Sequence, residues 1–212
     1  MEPFIRSDQY HLIIEQIKII VSGHASVNDT KVLAAQKAMC HEKVLNAFGD
    51  INDEKKQLLS EIIKIEDKTQ AEIFSEKLMS FVIPFEKLTD EKVKKLFPKV
   101  KKLKAPIVDD IDHRELSYLS WIDNGSKKKF LVARYKDKLV GIHGTYDHAH
   151  QKGICTLCGK YEEVGLFVSH VKGAVKDVSI SRGNYICQDS IKCNQNMTSL
   201  KKLNEFLARL EK

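Results

Sequence analysis

The sequence lacks the long apolar runs that a membrane-spanning or exported chain needs. No stretch of its 212 residues approaches the length of apolar sequence that crosses a bilayer, which is about 18 residues or more. The N-terminus, MEPFIRSDQY, has no apolar segment behind a basic start, so it does not match the pattern of a secretory signal peptide. We therefore expect a globular, cytoplasmic protein.

The motifs of the common catalytic sites are also missing. The sequence contains no P-loop, no glycine-rich dinucleotide-binding motif and no recognisable pairing of a nucleophile with a base. Function classes that depend on those motifs are excluded. We therefore expect a protein that is not an enzyme and that acts by binding.

Cysteine is scarce, and its placement is uneven. Only five cysteines occur, and four of them form two pairs, Cys155 with Cys158 and Cys187 with Cys193. In a reducing compartment such pairs favour a metal site over disulfides. Four thiolates complete the tetrahedral shell of Zn²⁺ and leave no open position for water or substrate. The pattern predicts one structural zinc ion, bound by these four cysteines.

The neighbouring residues leave one alternative open and exclude another. His148 and His150 precede the first pair and either replace a cysteine as ligands or lie exposed in a loop. A zinc deaminase needs His-x-Glu upstream and a proline before its first cysteine, and YDHAHQKGIC has neither glutamate nor proline.

The order of the elements around the cysteines favours a treble-clef zinc finger. The first cysteine pair lies in a tight turn (a zinc knuckle), and a β-hairpin, the second cysteine pair and a helix follow it. The five residues between Cys187 and Cys193 are more than the two that are usual for such a finger.

Apolar residues recur at helical spacing through the first 83 residues. Four helices are predicted to begin near polar residues: Ser7 or Asp8, Asn28, Asn52 and Thr69, where TQAE matches a capping box. The last helix must end before Pro84. Four amphipathic helices with short connections favour an antiparallel bundle, because each helix can bury its apolar stripe only against the others.

Beyond Pro84 the sequence changes to short runs of aromatic and β-branched residues. LSYLSWID, KKFLVARYK and KLVGIHGTY predict a small antiparallel sheet, with turns at Asn124-Gly125 and Lys136-Asp137. The segment SLKKLNEFLARLEK predicts a final amphipathic helix. The sequence thus predicts an α+β protein, with a helical bundle over residues 1–83 and a zinc-binding domain over residues 84–212.

Basic charge is concentrated in the second half. Residues 84–212 contain 25 Lys/Arg against 16 Asp/Glu, a net charge of +9, whereas residues 1–83 contain 10 against 13. Eight of the lysines lie in the segment from Lys87 to Lys104. This charge predicts an acidic partner. The lysine-rich segment either contacts ribosomal RNA or an acidic protein face, or is a solvated helix face.

Several sequence blocks, in this order, resemble one protein family. They are VIPFEKL (82–88), KVKKLKAP (99–106), the W-x-D-N-x-S-x-K-K run from Trp121, KGICTLC (152–158), RGNYICQDSIKCNQN (182–196) and the final NEFLARL. The chain is similar over essentially its whole length to the elongation factor G-binding proteins of the fusidic acid resistance (FusB/FusC) type. The resemblance implies that the zinc-binding domain grips the C-terminal domains of elongation factor G. It also implies release of the factor from ribosomes, including complexes stalled by the antibiotic, which is not itself altered.

The resemblance further implies which residues meet the partner. They fall at Ile154, where the family usually has an aromatic residue, and at Arg182, Tyr185 and Phe206, which match in kind. An apolar or aromatic anchor among basic groups is typical of a binding hot spot. From the residues alone, Tyr185 has a second reading, packing beside the zinc site, and so has Phe206, facing the core.

Overall fold

A computed structural model describes residues 1–100, 103–106, 110–123, 125–172 and 179–210 of the chain. Of residues 149, 150, 171, 172 and 179 it describes the backbone alone. The chain forms two compact units, Met1–Ile83 and Pro84–Lys212. Among the described residues, no helix has the length and apolar character needed to cross a membrane.

The first unit is helical, as predicted. It contains α1 (Ser7–Ser26), α2 (Thr30–Asn46), α3 (Asp53–Ser60) and α4 (Lys68–Met79). α3 is short and continues as a 3₁₀ turn over Glu61–Lys64. Three of the helices begin at a side chain that accepts hydrogen bonds from the first free backbone N–H groups: Asp29 for α2, Asn52 for α3 and Asp67 for α4.

The start of α4 differs from the capping box predicted at Thr69. The Asp67 carboxylate accepts a hydrogen bond from the backbone N–H of Gln70 at 2.8 Å. The Gln70 side chain in turn accepts one from the backbone N–H of Glu66 at 2.9 Å. The capping pair is therefore Asp67 with Gln70, and the prediction at Thr69 was wrong because an earlier aspartate already satisfies the helix end.

The apolar stripe of α1 forms the centre of the first unit. Ile13, Ile17 and Ile20 are buried against residues of the other three helices, as an amphipathic helix requires. The two ends of the unit are joined: Ile5 pairs with Val82 in a parallel bridge, and the N–H of Ile83 donates to the carbonyl of Ile5 at 2.8 Å. The unit therefore has a core of its own.

The second unit is built on a five-stranded sheet in sequence order. Its strands are β1 (Tyr118–Asp123), β2 (Lys128–Tyr135), β3 (Lys138–Ile154), β4 (Tyr161–Lys172) and β5 (Ser179–Cys187), and each pairs antiparallel with the next. Lys136 and Asp137 have positive φ angles of 48° and 60°, as a tight two-residue hairpin turn requires. The turn predicted at Asn124-Gly125 includes Asn124, which lies outside the described residues.

Three helices cover the sheet: α5 (Asp90–Leu96), α6 (Ser190–Gln195) and α7 (Lys201–Leu210). Side chains of β2 alternate between the two faces. Phe130 and Val132 pack in a core with Val93 and Phe97. Leu131 and Ala133 pack in the other core, with α7 and the cysteines. The predicted α+β fold, helices followed by an antiparallel sheet with a cysteine cluster and a final helix, is confirmed.

Candidate metal centre and adjacent surface

One turn, one strand end and one helix of the second unit supply the four paired cysteines. Cys155 and Cys158 lie in the turn between β3 and β4, which Gly159 closes with a φ of 75°. The N–H of Gly159 donates to the carbonyl of Cys155 at 2.9 Å. Cys187 is the last residue of β5, and Cys193 lies in α6. Residues far apart in sequence thus meet at one end of the sheet.

The four Sγ atoms form a cluster with the dimensions of a tetrahedral metal shell. All lie within 4.8 Å of one another, and the pairs Cys155–Cys193 and Cys158–Cys187 are each 3.8 Å apart. A tetrahedral zinc ion with Zn–S bonds of about 2.3 Å separates its sulfurs by about 3.8 Å. Disulfide sulfurs would lie at about 2.05 Å, and all four thiols are free. The donor set fits zinc.

Backbone hydrogen bonds stabilise negative charge on the first cysteine. The N–H groups of Leu157 and Cys187 both donate to the Sγ of Cys155 at 3.3 Å. Hydrogen bonds from the neighbouring thiols, first from Cys158, hold the pKa of Cys155 below its usual value. Cys155, Cys187 and Cys193 are buried and Cys158 is half-buried. A tetrahedral shell that four sulfurs complete has no open position for catalysis.

The helix cap of α6 explains the five residues between the last two cysteines. β5 ends at Cys187, and the carboxylate of Asp189 accepts hydrogen bonds from the backbone N–H groups of Ile191 at 2.8 Å and Lys192 at 3.1 Å. Cys193 then lies one turn into the helix, where its N–H donates to the carbonyl of Asp189 at 3.1 Å. The longer gap therefore accommodates a capped helix start.

His148, one of the two histidines named as alternative ligands, is not part of the cluster found among the described residues. His148 is exposed and packs edge-on against the ring of Tyr146, with centroids 4.9 Å apart. The side chain of His150 lies outside the described residues.

Two of the residues predicted to meet a partner are on the surface beside this cluster. Ile154, directly before Cys155, is 61% exposed, and Tyr185 is 44% exposed. The N–H of Thr156 donates to the carbonyl of Tyr185 at 2.8 Å, which fixes the cysteine turn against β5. Arg182 is half-buried on the same strand, opposite Ser169 of β4.

Phe206 is a core residue, which corrects the partner contact predicted for it. Its side chain is 0% exposed and packs against Phe167, with ring centroids 6.1 Å apart. The apolar face of α7 is directed at the sheet because it buries most area there, and Phe206 lies on that face with Leu203, Leu207 and Leu210. A partner cannot reach Phe206 in this conformation.

Sequence reasoning missed three neighbours of the cysteine cluster. Tyr161 is 65% exposed and lies opposite Ile154 in the β3–β4 ladder, so it enlarges the exposed apolar surface. Lys129 and Asn194 are 3% and 1% exposed. A single polar residue within a strand or helix pattern gives no sequence signal that it is buried. Only the tertiary structure therefore shows that Lys129 and Asn194 are buried.

Both halves of the chain match family models. Residues 4–86 match the model described as elongation factor G-binding protein, N-terminal, and residues 97–211 match the FBP C-terminal treble-clef zinc-finger. Comparison with curated protein sequences gives no significant match.

The chain is also similar to the solved structure of the fusidic acid resistance protein FusC. The sequences are 30% identical, the match covers 97% of each chain, and the TM-score is 0.82. With the cluster geometry, the treble-clef match identifies the four cysteines as the site of one structural zinc ion.

Proposed function

Because the chain belongs to the family of elongation factor G-binding proteins with a C-terminal treble-clef zinc finger, we propose that it binds elongation factor G through the zinc-binding unit. The observation that carries this proposal is the exposure of two large side chains next to the cysteine turn: Ile154 is 61% exposed and Tyr185 is 44% exposed.

The surface has the features of a binding hot spot. Large apolar side chains held on a rigid support lose little conformational freedom on binding, so they contribute strongly to affinity. Thr156 ties the cysteine turn to Tyr185 at 2.8 Å, and the zinc shell would hold the same turn to α6. Ile154 replaces a ring with a smaller apolar group, and we propose that Tyr161 supplies aromatic area beside it, since the two residues lie directly opposite each other.

Charge supports the same partner class. The second unit has 25 Lys/Arg against 16 Asp/Glu, and a positive surface accelerates encounter with an acidic protein face. Arg182 lies three residues before Tyr185 on β5, so the strand that carries the exposed tyrosine also carries a basic group.

We propose, further, that binding promotes release of elongation factor G from the ribosome, including complexes stalled by fusidic acid, and so protects the drug's target. A binder shifts an equilibrium only by its different affinities for two states. The chain would therefore have to bind more tightly to a conformer of the factor that holds the ribosome weakly. This activity requires binding alone and no chemical change in the drug.

Binding is tested with purified elongation factor G by calorimetry. Tyr185→Ala and Arg182→Glu should each weaken binding, with an expected cost of about 2 kcal/mol for the tyrosine, the usual size for a hot spot. Lys31→Glu, an exposed charge reversal in the first unit, is the matched control and should bind normally. Full affinity in both surface variants would overturn the assignment of this surface.

Release is tested separately, by following dissociation of labelled elongation factor G from ribosomes stalled with fusidic acid. Added wild-type protein should raise the dissociation rate, and Tyr185→Ala should raise it less. Tight binding to the factor with no change in its dissociation rate would retain the binding proposal and overturn the release step.

The lysine-rich segment supports a second candidate, contact with ribosomal RNA. Lys87, Lys94, Lys95, Lys99 and Lys104 are exposed, whereas Lys92 forms an ion pair with Glu86. Neutralising several phosphates makes RNA affinity fall steeply with salt. Salt-sensitive binding to a ribosomal RNA fragment, without binding to isolated elongation factor G, would favour this candidate over the first.

A further inference from the structure

Lys129 is a buried cation on the face of β2 that contains the cysteine cluster. Its side chain is 3% exposed, although burying an ammonium group is costly unless it is paired. Leu131 and Ala133, on the same face of the strand, pack in the core that includes Cys155, Cys187 and Cys193. The lysine therefore lies in a largely apolar environment beside the metal site.

The direct contacts of Lys129 do not neutralise its charge. Its Nζ donates a long hydrogen bond to the carbonyl of Gln188 at 3.4 Å and lies 4.3 Å from the centre of the Tyr146 ring. Among the residues that the structure describes, no carboxylate pairs with it within 4.0 Å. Gln188 directly follows Cys187, so the ammonium group lies next to the strand end that carries this ligand.

The charges that act on Lys129 come mainly from the cysteines. Burial lowers the pKa of Lys129 to about 8, and the negative charges of Cys193, Cys187, Cys155 and Asp189 oppose that shift. Four thiolates around one Zn²⁺ carry a net charge of −2. A buried cluster of that charge is itself unfavourable without a nearby cation.

We propose that Lys129 is the counter-ion of the zinc–tetrathiolate cluster and strengthens zinc binding by compensating its net negative charge. The ring of Tyr146 and the carbonyl of Gln188 position the ammonium group. This role does not depend on the identity of the partner protein.

Zinc affinity of the full-length chain, measured by competition with a chromophoric chelator, tests the proposal. Lys129→Met removes the charge and keeps most of the volume, and it should weaken zinc binding about tenfold or more, the usual effect of removing a group that supports a ligand. Lys128→Met is the matched control, because Lys128 is the preceding residue and only half-buried. It should change the affinity less than about twofold.

Measuring Lys129→Met in a second protein background, the Cys158→His variant, separates the effect of the lysine's charge on zinc affinity from the effect of its packing. Cys158→His retains a zinc-binding set of three cysteines and one histidine and reduces the net negative charge of the cluster by one. If Lys129 acts as a counter-ion, Lys129→Met should cost less affinity in this background than in the wild type, as a double-mutant cycle measures.

An equal cost in both backgrounds would show a packing role and overturn the proposal. If Lys129→Met alone does not fold, the Cys158→His/Lys129→Met double variant decides the question. Recovery of a folded, zinc-binding protein supports the counter-ion role, and failure to recover contradicts it.

Discussion

The side-chain amide of Asn194 pairs with the backbone of Tyr118 as a neighbouring strand would. Its Oδ1 accepts a hydrogen bond from the N–H of Tyr118 at 3.2 Å, and its Nδ2 donates one to the carbonyl of Tyr118 at 3.0 Å. Oδ1 also accepts a hydrogen bond from the N–H of Ser117 at 2.7 Å. Because Asn194 directly follows Cys193, this contact joins the metal site to the first strand of the sheet.

Asn194→Ala should destabilise the second unit by about 2–4 kcal/mol. The substitution leaves the buried N–H and carbonyl of Tyr118 and the partly buried N–H of Ser117 without these partners, and each buried unsatisfied group costs about 1–3 kcal/mol. Urea unfolding followed by the fluorescence of Trp121, the single tryptophan of the chain and a residue of β1, measures the loss. Gln195→Ala, at an exposed neighbouring position, should change stability by less than about 0.5 kcal/mol. Similar stabilities for the two variants would contradict this role of Asn194.

Removal of zinc should unfold the second unit and leave the first unit folded. Metal binding contributes directly to the folding free energy of small zinc domains, whereas the first unit has a core of its own. Chelator should therefore change the fluorescence of Trp121 while much of the helical far-UV signal persists, and Cys155→Ser should reproduce the effect. Cys40→Ala, outside the cluster, is the control and should retain one zinc ion per chain. An unchanged Trp121 signal in chelator would argue against a structural metal.

Phe206→Ala should lower the stability of the second unit, whereas Tyr185→Ala should lower affinity for elongation factor G. Truncating the fully buried Phe206 should cost about 3–5 kcal/mol of stability. Truncating the half-exposed Tyr185 should change stability by less than about 0.5 kcal/mol and reduce affinity for elongation factor G. Thermal unfolding and calorimetry on both variants give the comparison. A stable Phe206→Ala protein with weakened binding would instead place Phe206 in the interface.

Gly144→Ala should destabilise the sheet, because β3 and β4 approach closely at this residue. A methyl group there would lie 2.2 Å from the carbonyl oxygen of Val168, a backbone atom with little freedom to move. Gly183→Ala is the control, because its methyl group would meet the side chain of Leu166 at an ordinary 3.4 Å. We expect a cost of about 1–3 kcal/mol for Gly144→Ala and a clearly smaller one for Gly183→Ala, measured by thermal unfolding. Equal melting temperatures would contradict the close approach.

The helical periodicity of the first 83 residues predicted the helices of the first unit, and the cysteine spacing predicted the metal cluster. The predicted start of α4 was wrong because two nearby residues compete to accept hydrogen bonds from the same free backbone N–H groups. Asp67 caps α4 in place of the predicted Thr69, since either residue can satisfy a free N–H and the sequence does not show which one is nearer. The sequence also did not explain why five residues separate Cys187 from Cys193. The structure explains this spacing by the start of α6, which Asp189 caps.

The sequence by itself determined the order of the elements, the ligand types and the charge of the second half, because these follow from residue identity and short-range spacing. Only the tertiary structure decided which side chains are covered. It buried Phe206, left Ile154 and Tyr161 exposed and placed the buried Lys129 against Gln188, the residue after Cys187. Burial depends on contacts between residues distant in the chain, and those contacts exist only once the sheet and helices have packed together.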